Sequence, residues 1–355
     1  KVIMTGYNLK FNGVDRLYDA YSWRLNRRAK EAWKSGDVLQ GKYLKQLEIE
    51  IAEKYKRKYA IGVGSATDGL YFAMKAVGLN KGSTILCPAF SYVATAGAIK
   101  RLGADIHFAD TDKQGNIGDW GIMGLPSAVL YVNMFGNLAD YTRLRQYCDQ
   151  HRIPLIEDAA QSQGAVYNKT PSGALGDVSV FSFDPMKNMP SFGTGGMVLT
   201  DSKDVYDTVI SLRRHGLNGK TQYGYNSLIS EDHANQLLLL LSKFDKLQKM
   251  RKKVFERYKK NLAHTDFVET QENTQSSYHK LVVLSDRRDE LKTYLAQNGI
   301  ETKVHYNKTL DSKNVGQYPN AEIMCAKSLS LPIYPHLKLA EVDYICDNIR
   351  KFNGV

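Results

Sequence analysis

Between about residues 60 and 215 the chain alternates short β-rich runs with amphipathic stretches, and few architectures accept that rhythm. Tyr59–Val63, Thr84–Cys87, Asp105–Phe108, Ala128–Val132, Leu155–Glu157, Val178–Phe183 and Met197–Thr200 read as strands. Helical patterns fill most gaps, among them Asp68–Val77, Tyr92–Leu102 and Leu138–His151. Such alternation predicts a doubly wound α/β sheet covered by helices on both faces. Ligands of such sheets bind at the carboxyl ends of the strands. A long helical pattern from about Ser230 to Asn261 then leads away from the sheet. It is followed by a strand at Lys280–Leu284, a helix at Arg287–Asn298, and helical stretches near Ala321–Ser328 and Leu339–Phe352. Residues 1–240 are therefore expected to form an N-terminal segment and a large domain. Residues 241–355 are expected to form a connecting helix and a small α+β domain, with a loop at Thr265–Ser277.

The composition, 43% hydrophobic and 24% charged, is that of an ordinary soluble protein, and 355 residues suit one large and one smaller domain. No apolar stretch approaches a membrane span, and Lys1–Gly6 does not begin a signal peptide. The four cysteines form no CxxC pair and no zinc pattern exists among the histidines, so buried free thiols in a reducing cytoplasm and no bound metal are expected. The net charge of +11 raises nucleic acid as a partner. Much of the excess lies around Lys54–Lys58 and along Lys243–Lys260. In the second stretch Leu240, Phe244, Leu247, Val254, Phe255 and Tyr258 recur at helical spacing and leave the basic residues on the other face. A solvated helix face explains that charge, and no nucleic-acid motif accompanies it.

The chemistry sits where the strands end. Lys187 follows an apolar run and precedes the glycine-rich GTGG of residues 193–196; Asp158 closes another apolar run, PLIED. A lysine that can form a Schiff base and a carboxylate that keeps a pyridine nitrogen protonated are the two groups pyridoxal phosphate requires. Alone, Asp158 could simply cap the following helix and Lys187 could be a surface charge. Ala66 and Thr67, in the strand-to-helix turn GVGSATDGL, open a helix whose N–H groups can take a phosphate. Ser182 is a second phosphate donor. Tyr92, in preference to Phe90, can stack on a flat ring. Gln161, one turn beyond Asp158, is in reach of a ring hydroxyl.

These segments together resemble the DegT/DnrJ/EryC1/StrS group of sugar-nucleotide aminotransferases. The resemblance runs from WKSGDVLQGKYLKQLEIEIAEKY (33–55), similar to that family's opening helix, through SATDGL, PAFSYVATA, IEDAAQ, SFDPMKN, GTGGMV, RRHG and GYNSLISE to GIETKVHY and SLSLPIYPHL. It implies fold type I: a three-layer α/β/α domain with a mixed, mostly parallel sheet, plus a smaller α+β C-terminal domain. It implies a pyridoxal phosphate enzyme passing through pyridoxamine phosphate, with L-glutamate as donor and a nucleotide-diphosphate ketosugar as acceptor, aminated at C3 in preference to C4. By the same resemblance Lys187 is the Schiff-base lysine, Asp158 the pyridinium partner, Gln161 the residue at the ring hydroxyl, Tyr92 the stacking aromatic, and Ala66, Thr67 and Ser182 the phosphate binders. Asn226 matches an asparagine that reaches the neighbouring subunit's cofactor, which implies a homodimer with composite sites. His305 and Tyr306 match a pair lining the sugar entrance.

The chain departs from the family at Ala66, where a glycine is usual, at Asn133-Met134-Phe135, at Leu228 and His233, and at Asn307. The rival readings are a sugar dehydratase, against which Lys187 speaks because dehydrating relatives replace that lysine, and a non-catalytic sensing or scaffold homologue.

Overall fold

Alternating residues of each strand face opposite sides of the sheet, and this period of two sorts the core into layers. The computed structural model describes residues 8–119, 124–263, 265–266 and 274–354. Its strands are β1 (Tyr59–Val63), β2 (Thr84–Pro88), β3 (Asp105–Ala109), β4 (Ala128–Val132), β5 (Leu155–Asp158), the short β6 (Val166–Tyr167) and β7 (Thr170–Pro171), β8 (Val178–Ser182), β9 (Gly196–Thr200), β10 (Thr274–Gln275), β11 (Leu281–Leu284) and β12 (Ser328–Leu331). Its α-helices are α1 (Val14–Ser35), α2 (Lys42–Lys54), α3 (Ala66–Ala76), α4 (Val93–Leu102), α5 (Tyr141–His151), α6 (Lys203–Arg213), α7 (Glu231–Asn261), α8 (Arg288–Gln297), α9 (Pro319–Lys327) and α10 (Leu339–Asn353).

The seven long strands of the first half form one sheet in the order β1-β9-β8-β5-β4-β2-β3. Neighbours are parallel except where β9 meets β1 and β8, so the sheet is mixed and mostly parallel. Because β9 runs backwards, its first residue, Gly196, lies beside Val63 and Ser182 at the carboxyl edge of the parallel strands. In β4, Ala128, Leu130 and Val132 pack under the layer containing α3, α4 and α6, while Val129 and Tyr131 pack against α5. In β9, Val198 faces the first layer, whereas Met197 and Leu199 face α2 and α7. The result is the expected three-layer sandwich.

Helix α7 serves both parts of the molecule. Leu237, Leu240, Phe244 and Leu247 join the core beneath the large sheet, and Val254, Phe255 and Tyr258 join a separate core with β11, β12, α8 and α10. Three expectations change. The stretch 33–55 is not one helix: α1 ends at Gly36, whose φ of 76° makes a left-handed cap, and α2 begins after Gly41. The basic residues of α7 do not all lie on the solvent face, because Arg251 is buried on the apolar side, where its Nη1 donates to the Ile333 carbonyl at 2.8 Å. Part of Thr265–Ser277 lies outside the described residues, and Thr274–Gln275 pairs with β6 instead of looping. All four cysteines are buried free thiols, and among the described residues no helix is long and apolar enough to cross a membrane and no acidic, histidine or cysteine cluster could hold a metal.

Candidate active site

A cavity of about 350 Å³ opens at the carboxyl edge of the sheet, and it gathers Ala66, Thr67, Tyr92, Asp158, Gln161, Ser182, Lys187, His305 and Tyr306. One end is the start of α3. Ser65 caps that helix, its hydroxyl accepting from the Asp68 N–H at 3.1 Å. The N–H groups of Ala66 and Thr67 belong to the first turn and have no place in the helix ladder, so they are available to an anion. Ala66 occupies ordinary helical backbone, so the side chain that replaces the family's glycine is accommodated. Gly196 packs directly beneath: a Cβ there would lie 2.7 Å from the Ala66 nitrogen. Ser182, at the end of β8, completes this polar end, and its Oγ accepts from the Asp184 N–H at 3.3 Å.

Asp158 ends β5 and is buried. Its Oδ2 accepts from the Thr95 hydroxyl at 3.0 Å and its Oδ1 from the Ala160 N–H at 3.2 Å. Burial pushes this carboxyl above its ordinary range, opposed by the Ala160 N–H, the Thr95 hydroxyl and the charge of Lys187. A buried carboxylate with so few donors is poised to take a cationic partner. Lys187 lines the same cavity on the turn after β8, where its N–H donates to the Asp184 carbonyl at 2.9 Å. Burial holds its ammonium below the usual lysine value, against the pull of Asp158 and Asp184, which favours the neutral, nucleophilic amine.

Gln161 is clamped by the turn that departs from the family: the Phe135 N–H donates to its Oε1 at 3.0 Å, and Phe135 takes a left-handed φ of 59° to do so. The Gln161 Nε2 then points toward the Tyr306 hydroxyl, at 3.5 Å. Tyr92 stands at the N-cap position of α4 and is exposed at the cavity mouth, whereas Phe90 is fully buried. The Tyr92 and Tyr306 rings lie 5.9 Å apart. His305 bonds the Ser330 hydroxyl through Nδ1 at 2.9 Å, and burial among Lys280, Lys187 and Lys303 pushes it down to about 3. Asn226 stands apart: it is exposed on the loop after α6 and does not line this chain's own cavity.

Four residues that matter here carried no signal in isolation. Thr95 lies one turn into α4, where a threonine in VATAGA reads as an ordinary helix residue. Glu157 is fully buried and accepts from the Ser172 and Ser179 hydroxyls at 2.7 and 2.6 Å, the Asn133 amide at 2.9 Å and the Gly173 N–H at 3.0 Å, which fixes the end of β5 next to Asp158. His279 and Lys280 enter the cavity from the far side, ahead of β11. His279 bonds the amide of Asn188, the neighbour of Lys187, at 3.0 Å.

A flat pyridine ring carrying a phosphate fits this donor set. The first turn of α3 and Ser182 suit the phosphate, the under-solvated Asp158 suits a protonated ring nitrogen, and Lys187 shares the cavity with both. The fold is that of fold type I pyridoxal phosphate enzymes. Residues 22–350 match the DegT/DnrJ/EryC1/StrS aminotransferase family, and the chain belongs to it. That family is pyridoxal-phosphate-dependent. The chain is 31% identical to a dTDP-3-amino-3,4,6-trideoxy-alpha-D-glucose transaminase of Streptomyces venezuelae, over 90% of this chain and 89% of that one. It is also 31% identical to a protein of Geobacillus stearothermophilus named a pleiotropic regulatory protein, over 97% of this chain and 98% of that one. The crystal structure of S. venezuelae DesV in complex with a ketimine intermediate superposes with a TM-score of 0.93 at 28% identity, covering 98% of this chain and 99% of that one.

Proposed function

We propose that this chain transfers an amino group from L-glutamate to a ketone of a nucleotide-diphosphate deoxysugar, at C3 in preference to C4, as a homodimer with composite sites. When bound, pyridoxal phosphate supplies an electron-accepting ring and a carbon that carries the amino group between the two substrates. Lys187 holds the coenzyme and then, as a neutral amine, moves the proton to and from the donor's α-carbon. Asp158 keeps the ring nitrogen protonated, and the Thr95 and Ala160 donors hold its two oxygens in place for that contact. The N–H groups of Ala66 and Thr67, with Ser182, take the phosphate, and Gln161, oriented by Phe135, presents its amide to the ring hydroxyl. Tyr92 covers one face of the ring, and His305 and Tyr306 line the approach of the sugar. Asn226 is exposed outside its own chain's cavity, which supports its acting on a partner subunit's coenzyme phosphate.

One observation carries the reading: the half-buried Lys187 and the buried Asp158 share one cavity with the open first turn of α3. A second reading, a regulatory protein that keeps the fold, is favoured by the relative named for regulation. The test is a panel of nucleotide ketosugars incubated with L-glutamate and pyridoxal phosphate and analysed by mass spectrometry. Amination of a ketosugar, with parallel lines in double-reciprocal plots, is the expected result. Loss of water instead of gain of an amino group would indicate the dehydratase. No conversion of any sugar, with no spectral response to glutamate, would indicate the regulator.

A further inference from the structure

Beside the main cavity lies a second, small one of about 30 Å³, and Lys187 and Lys280 line both. Arg251, on α7, lines the small cavity as well. Lys280 and Arg251 therefore border it beside Lys187, and among the described residues no aspartate or glutamate does. Arg251 is buried, its Nη1 is used by the Ile333 carbonyl, and its Nε has no partner among the described residues. The Lys280 ammonium sits over the Phe11 ring, 4.6 Å from its centroid, and forms no ion pair among the described residues. Its backbone is held in place: its N–H donates to the Phe135 carbonyl at 3.1 Å, and the adjacent His279 is bonded to Asn188. Lys280 is thus fixed beside the residue after Lys187. The electrostatic company of Lys280 is Lys187, Arg251 and Lys303, against Asp184 alone. Burial and the neighbouring basic groups hold the Lys280 ammonium well below its usual value, and an anion reaching Lys280 and the unpartnered Arg251 Nε restores the charged form and completes the site.

The size and place of the cavity narrow that anion. The cavity is small beside the main one, about 30 against 350 Å³, so it suits a compact anionic group. The coenzyme's phosphate has its own site at α3, on the other side of Lys187. A nucleotide diphosphate is separated from the reacting ketone by a sugar ring, whereas the carboxylate of an amino acid is attached to the reacting carbon itself. We propose that Lys280 and Arg251 form a subsite that receives a carboxylate of the amino-acid donor while the donor's α-carbon is presented to Lys187. This rests on the aminotransferase reading and names the feature of the donor that the site selects.

The test titrates succinate, an unreactive dicarboxylate, into the coenzyme-loaded protein by calorimetry, for wild type, Lys280→Met and Lys280→Arg. A charge-assisted contact predicts that Lys280→Met weakens succinate about 10- to 100-fold while Lys280→Arg largely keeps it. The glutamate concentration giving half the maximal spectral change of the coenzyme should rise by the same factor in Lys280→Met. At saturating glutamate the half-saturating ketosugar concentration should stay within about twofold of wild type. Without succinate, Lys280→Met should melt at a higher temperature than wild type, because a half-buried lysine with no ion pair among the described residues has gone. Equal succinate affinity in wild type and Lys280→Met, or no binding by wild type, overturns the proposal. So does a loss confined to ketosugars that bear a carboxylate, which would give the subsite to the sugar. Should Lys280→Met fail to fold, Arg251→Met read in the same titration decides on the same terms. A wild type without a coenzyme absorbance band would count against the aminotransferase reading itself, whatever succinate does.

Discussion

His305 gives the most quantitative test of the electrostatics around the site. Its ring is packed against Phe11 and bonded to Ser330, with Lys280, Lys187 and Lys303 as its charged neighbours. Burial first, and then those cations, push its pKa down to about 3 from 6.5. The sign follows from proton counting. Between pH 6.5 and 3 the unfolded chain binds a proton at this position that the native state does not. Stability therefore falls as the pH falls through that window, by about 1.4 kcal/mol per pH unit. His305→Gln removes the titration. Between pH 7.5 and 4.5 the stability of wild type relative to the variant should drop by about 3 kcal/mol. The assay is urea denaturation of both coenzyme-free proteins at several pH values in that range. His279, also pushed down by burial, is common to both and leaves the difference intact. A stability gap constant within about 0.5 kcal/mol across the range would refute the reasoning, because it would mean that His305 titrates alike in the native and unfolded states.

Glu231→Ala should cost about 3–4 kcal/mol in denaturant unfolding, since the buried Glu231 carboxylate accepts from the Gly41, Tyr43 and Leu44 N–H groups at 2.9, 2.8 and 3.1 Å and is the cap of α2; a loss under about 0.5 kcal/mol would contradict this. Gly196→Ala should weaken coenzyme binding about tenfold or more in an absorbance titration, because the new Cβ meets the backbone at Ala66 and Ser65, which cannot swing aside; unchanged affinity would place the phosphate elsewhere. Mixing Lys187→Ala and Asn226→Ala subunits should restore about a quarter of wild-type activity, because only the mixed dimer has one intact site; no gain over the separate variants would remove Asn226 from the partner's site.

What could be read from the sequence was local. Asp158, Ser182, Ala66, Thr67 and Tyr92 lie at strand ends or helix starts, and Gln161 and Lys187 in the turns that follow β5 and β8, where period and punctuation mark position. The cavity brings them together because β9 reverses and puts Gly196 at the same edge. Helix α1 was missed because only Leu17, Leu25, Ala29 and Ala32 are buried along its 22 residues, too thin an apolar stripe to stand out. Arg251 was read as one more surface cation because its helix carries basic residues on nearly every turn, although its place four after Leu247 and three before Val254 sets it on the apolar stripe, where the Ile333 carbonyl, 82 positions away, receives it. Lys280 was hidden for the same reason: Phe11, Phe135 and Asn188 place it, and all three are remote in sequence. Glu231 was quoted within a motif without a role, since its three partners precede it by almost the whole large sheet.

Two lysines face one cavity, Lys187 as the proposed holder of the coenzyme and Lys280 as the proposed holder of a substrate carboxylate. Reduction of the coenzyme-loaded protein with borohydride, followed by proteolysis and peptide mass mapping, separates them directly. The predicted result is a pyridoxyl adduct on the peptide containing Lys187, absent from Lys187→Ala and retained in Lys280→Met. An adduct on Lys280, or no adduct in wild type, would contradict the central claim.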